Sequence, residues 1–166
     1  MRMTRRFCVR MVGMLVATAL SFLSGCAIGP SAAQRNDADI SQWLASLPEP
    51  GADYGAYPDN YREIIEAAMT GMLKDPDSAR YSGFTQPKHD QVVEVQYPHR
   101  GLILDTSVAP KKTAIYGYAV CAAVNAKNSF GGYTGDKLYW FLIRNGQVVR
   151  SAMAGEVLYI GHFANC

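Results

Sequence analysis

The densest run of chemistry-bearing side chains is NAKNSFGGYTGDKLYWF at residues 125–141. Asn125, Lys127, Asn128 and Tyr133 bring amide, ammonium and phenol groups together within nine residues, interleaved with Ser129, Gly131 and Gly132, and Gly135 follows. Such a run has two readings. As a connection it is a wide turn between strands: asparagine side chains bond neighbouring backbone groups, glycines supply positive φ, and Phe130 and Tyr133 seal it. As a site it is a contact loop for a peptide, a glycan or a protein, with Lys127 offered to an anion. It is not a phosphate loop. It joins two strand-like runs, so no helix N-terminus supplies a dipole, and its glycine spacing departs from GxGxxG.

The other reactive side chains form no constellation along the chain. Ser78, Ser82, Ser107 and Ser129 lack the context of a nucleophile elbow. His89, His99 and His162 are scattered and read as surface or packed residues. Asp75 and Asp77 flank Pro76 at a helix end, where turn and capping duty outweighs acid–base work. Glu94 and Asp105 have no partner legible in the sequence. The expectation is no catalytic set, no metal site and no cofactor.

The N-terminus carries the clearest signal. Arg2, Arg5, Arg6 and Arg10 form a basic head, and residues 11–23 follow with no charge. Thirteen apolar or neutral residues are too few to span a bilayer but fit the core of a signal peptide. LSGC at residues 23–26 closes that core and resembles the lipobox of bacterial lipoproteins. The resemblance implies cleavage before Cys26 and acylation of that cysteine, with residues 1–25 as signal peptide. The Arg5–Arg6 pair resembles a twin-arginine signal only loosely, which favours the general secretion route. Ala27 after the acylated cysteine implies, in a diderm cell, sorting to the outer membrane, facing the periplasm.

Cleavage there changes the charge. The chain of 166 residues has 16 basic and 14 acidic residues; four of the basic ones and none of the acidic ones lie before Cys26, leaving 12 against 14. A net charge of −2 gives a nucleic-acid partner no electrostatic support. Of four cysteines, Cys8 leaves with the signal and Cys26 carries lipid, so Cys121 and Cys166 remain as a pair in an oxidising compartment. Their disulfide would close a loop of about 45 residues and contribute roughly 3–4 kcal/mol through the unfolded chain.

Those residues need elements to hold them. Residues 26–36 are small and polar, a tether from the lipid. Ile40, Trp43, Leu44 and Leu47 then follow helical spacing, capped by Asn36 or Asp37 and stopped at Pro48. With no basic face, this short helix is expected to dock on the domain rather than lie in a membrane. A loop follows, completing a segment at residues 37–58. Tyr61, Ile64, Ile65, Ala68, Met69, Met72 and Leu73 make the strongest helical stripe, with Asp59 or Asn60 at its start, Lys74 or Asp75 at its end before Pro76, and both methionines as core fillers.

Strands are expected at residues 79–84, 91–97, 101–105, 114–125, 137–144 and 157–163. In residues 114–125, Ile115, Gly117, Ala119, Cys121 and Ala123 form a small face suited to the main helix. Residues 137–144 are apolar on both faces, as in a central strand. Asn145–Gly146 between two β-rich runs marks a type I′ hairpin. The fold class is therefore α+β: an antiparallel sheet of about five to six strands, one main amphipathic helix on one face and a short N-terminal helix, with residues 59–166 as a single domain.

LKDPDSARYSGF at residues 73–84 and GYAVCAAVNAKNSFGGYTG at residues 117–135 resemble an uncharacterised group of small exported bacterial proteins and lipoproteins. Its pattern is a helix ending in Asp-Pro-x-Ser-Ala, then a strand with Cys leading into Asn-Ala-Lys-Asn-Ser-x-Gly-Gly-Tyr. The resemblance implies export and fold and transfers no catalytic residues. The expected function is a lipid-anchored envelope protein acting as a binding or accessory module, with an envelope protein or the cell wall as partner. The alternative is an envelope enzyme acting on peptidoglycan or a similar polymer through polar groups near residues 125–133.

Overall fold

The computed structural model describes residues 30–159 and 162–166. The expected signal peptide, its apolar core and the acylation site at Cys26 lie outside the described residues.

Among the described residues two helices precede the strands: α1, Ala32–Ala45, and α2, Tyr61–Thr70. A single 3-10 turn, Pro76–Ser78, leads into β1, Arg80–Ser82. Then come β2, Lys88–Gln96, β3, His99–Arg100, β4, Ile103–Leu104, and the 15-residue β5, Lys111–Asn125. The chain continues through β6, Lys137–Arg144, β7, Gln147–Met153, β8, Val157–Tyr159, and β9, His162–Phe163. Five strands form one antiparallel sheet in the order β1-β5-β6-β7, with β2 also paired to β5. β1 pairs residues 123–125 of β5 and β2 pairs residues 111–119, so the three-residue β1 and the nine-residue β2 share one edge of the long strand. β3–β4 and β8–β9 are separate two-stranded ribbons. The described residues are thus mixed α and β, with an antiparallel sheet of five strands and two helices.

β6 occupies the expected residues and lies between β5 and β7. Trp140, Phe141, Leu142 and Ile143 are fully buried, alternating between two clusters. Each such side chain contributes about 1.5–3 kcal/mol by leaving water. The hairpin after it has φ of 49° at Asn145 and 76° at Gly146, the paired positive values of a type I′ turn.

Several expectations need correction. α1 begins at Ala32, inside the expected 26–36 tether, because Ser31 and Gln34 form a capping box: the Gln34 amide donates to Ser31 Oγ, and the Ser31 amide donates to Gln34 Oε1. α2 stops at Thr70 with Gly71 as its C-cap, short of Lys74. Beyond that stop Met69 is fully buried but Met72 is 52% exposed, so only the first is a core filler. Residues 101–105 form no sheet strand; Ile103–Leu104 pairs back on His99–Arg100. Residues 157–163 divide into the two strands of a ribbon.

The faces of β5 are also reversed from the expectation. Tyr61, Ile65 and Met69 of α2 cluster with Val120, Ala122, Val124, Phe141 and Ile143. The small face holds Cys121 with Val92, Trp140, Leu142 and Ala164. Its small residues make room for the Trp140 indole, which stands opposite Cys121 in the ladder, and for the returning C-terminal chain. Gly117 has a separate reason: a Cβ there would meet the Ile143 carbonyl oxygen at 2.5 Å. Cys121 and Cys166 have their Sγ atoms 2.06 Å apart, disulfide distance, which ties the end of the chain to mid-β5.

Candidate functional site

The loop between β5 and β6 is built by its own polar residues. Asn128 Oδ1 accepts the Phe130 amide at 2.9 Å and the Gly132 amide at 3.2 Å. The Asn128 amide donates to Gly132 O at 2.9 Å, and Gly131 N donates to Asn128 O at 3.0 Å. Lys127 and Tyr133 face each other in an isolated antiparallel bridge. Gly131 and Gly135 take φ of 76° and 86°, where L side chains are strained. Gly132 is not in that region.

Ser78 fastens this loop to the rest of the domain. Its hydroxyl donates to Asp75 O at 2.8 Å and accepts the Lys127 amide at 2.9 Å. Its carbonyl accepts the Tyr133 hydroxyl at 3.3 Å. The Tyr133 ring centroid lies 4.5 Å from the Arg80 guanidinium carbon and 5.7 Å from Lys127 Nζ, so two cations lie within cation–π reach of one ring. The two sequence blocks, one around Asp75–Ser78 and one around residues 125–133, therefore form a single hydrogen-bonded unit. Sequence reasoning missed Ser78 and Arg80 as members of it. The signal was the joint presence of both blocks; what it lacked was the 49-residue separation closed by the β1–β5 pairing.

Of the four candidate contact residues, Lys127, Asn128 and Tyr133 are brought together. Asn125 ends β5 opposite Arg80, its Oδ1 buried and without a hydrogen-bond partner. Phe130 does not seal the loop. It is 95% exposed at the tip, because the Asn128 side chain already closes the turn beneath it. Beside the loop lies a shallow depression of about 250 Å³, floored by Leu73, Val124 and Tyr139 and rimmed by Lys74, Lys127 and Lys137.

The remaining candidates go to separate places. His89 stacks on Tyr54 at 3.9 Å and His162 on Tyr159 at 4.6 Å. Asp90 accepts the Trp140 indole N–H at 3.2 Å through Oδ2, and its Oδ1 is 3.3 Å from His162 Nε2. Burial pushes the Tyr159 phenol above its ordinary pKa, against a lowering by the hydrogen bond from Gln91. Glu94 and Asp105 do have partners that the sequence hides: Arg150 at 2.9 Å across the sheet, and the Ser107 amide and hydroxyl. Asp75 serves its turn through its carbonyl, not its carboxylate. Among the described residues no three His, Cys, Asp or Glu side chains group as metal ligands, and no helix is long and apolar enough to cross a membrane.

No protein-family profile matches the chain, and comparisons with curated proteins and with solved structures find no match.

Proposed function

We propose that this chain is an envelope lipoprotein, fixed to a membrane through an acylated Cys26, whose domain is a binding or accessory module with the loop at residues 125–133 as its contact surface. The anchor reading is supported by LSGC at the end of the uncharged run at residues 11–23, behind four arginines. In a diderm cell Ala27 would send it to the outer membrane. The disulfide-distance pair fits an oxidising compartment. In this reading α2 covers one face of the sheet and leaves the loop outside that cover.

One observation carries the binding role: Phe130 stands almost fully exposed on a loop held at its base by Ser78, Asn128 and Tyr133. An aromatic presented on a pre-ordered turn loses little conformational freedom on binding, which is the economy that makes aromatic anchors effective. Lys127 and Lys137 beside it favour an envelope protein or cell-wall polymer with acidic groups.

Cross-linked recovery of partners from envelope fractions tests the role. Phe130→Ser should lower recovery at least tenfold while the melting temperature stays at the wild-type value. Undiminished recovery would remove the loop from the interface.

A further inference from the structure

A second exposed apolar feature stands at the other end of the sheet. On the β3–β4 ribbon Leu102 is fully exposed and Ile103 is 74% exposed, with Leu104 beside them at 53%. The two strands pair only with each other, through His99↔Leu104 and Arg100↔Ile103, with Gly101 at φ 66° turning the tip. The base is braced: Asp105 N donates to Pro98 O at 2.8 Å, and the Asp105 carboxylate accepts from Ser107. The tip is thus a fixed aliphatic projection, the type of surface that marks a membrane or partner contact.

Its place in the chain selects between these. Asn36, in α1, donates through Nδ2 to Thr106 O at 2.9 Å and Val108 O at 3.0 Å, tying the start of α1 to the segment behind the ribbon. Cys26 is five residues before the α1 cap Ser31, a reach of at most about 18 Å for extended chain. The ribbon precedes the start of β5 and the residue 125–133 loop follows its end; fifteen strand residues separate those ends by about 45 Å. The ribbon is therefore on the side of the chain leading to Cys26, and the Phe130 loop is at the far end. Exposed Arg100 and Lys111 flank the ribbon, whereas the Lys112 ammonium is occupied by Asp39 at 2.5 Å.

We infer that the β3–β4 ribbon is a second membrane contact: Leu102 and Ile103 enter the interface of the bilayer that holds Cys26, orienting the domain with the Phe130 loop away from the lipid. This rests on the lipid-anchor reading. The aliphatic tip reaches the boundary between headgroups and acyl chains, while Arg100 and Lys111 stay at the level of the lipid phosphates. One acyl attachment leaves a domain free to tumble; a second contact at the same end removes that freedom.

The test uses protein extracted from membranes and reconstituted into phosphatidylcholine–phosphatidylglycerol vesicles, with plain or brominated acyl chains. Leu102→Trp and Phe130→Trp are each read as a difference from the unsubstituted chain, which keeps Trp43 and Trp140. Both positions are exposed, so neither substitution disturbs packing. The added emission of Leu102→Trp should fall at least twofold in brominated vesicles, and that of Phe130→Trp should not change. Protein that floats with vesicles while Leu102→Trp stays unquenched overturns the ribbon contact and leaves the anchor, assigning the tip to a protein partner. Quenching at both positions overturns the orientation. Protein that neither floats nor is quenched overturns the inference together with the anchor.

Discussion

Asn128 shows how a residue that looks like a ligand-binding group is spent on its own backbone. Its Oδ1 takes two amides that would otherwise face solvent unpaired at a tight turn. Asn128→Ala should lower stability by about 1 kcal/mol, the ordinary net worth of such bonds, in denaturant titration. The glycines divide by conformation. Gly131→Val should cost about 1–3 kcal/mol because φ is 76° there, while Gly132→Val should leave the unfolding midpoint nearly unchanged. The sequence could not separate these adjacent glycines, since type alone carries no φ. Asp53 gives a pH signature. The Gly55 amide and then the Arg144 guanidinium hold its carboxyl below the usual range. A depressed carboxylate contributes stability above its unfolded pKa and loses it as pH falls through the folded one. The melting difference between wild type and Asp53→Asn should therefore be full at neutral pH, begin to shrink only below about pH 4, and vanish once the pH passes below the lowered folded-state value.

At the scale of elements, strand β6 and its Asn145–Gly146 turn were legible because each signal is local: apolar residues on both faces, and a dipeptide suited to two positive φ values. The assignment of faces on β5 was not. Alternation reveals two faces, but the residue that fills each comes from elsewhere, here Trp140 and Ala164 on one and α2 on the other. Gly117 marks the same limit. Its reason is the Ile143 carbonyl of the neighbouring strand β6, a contact that no pattern in β5 announces. Gly117→Ala should push β5 from β6 and cost about 1–3 kcal/mol, read as a lower denaturant midpoint. The start of α1 escaped notice because the hydrophobic stripe begins at Ile40, two turns after the Ser31–Gln34 box that sets the terminus.

Across the whole molecule, the long strand β5 organises what the chain can present. One end leads back to the ribbon, behind which the start of α1 is tied, the other opens into the Phe130 loop, and Cys166 closes on its middle. The candidate site was partly legible: Lys127, Asn128 and Tyr133 do converge, but Ser78 and Arg80, which hold them, reach the loop only through tertiary pairing. Cys166→Ser should lower stability by about 2–4 kcal/mol by releasing the constraint on the unfolded chain. The reading as a lipid-anchored envelope module is tested most directly by the intact mass of the protein taken from the membrane fraction. The account predicts the mass of residues 26–166 carrying lipid and lacking two hydrogens. A mass equal to the unmodified chain, or to one cut elsewhere and without lipid, would contradict it.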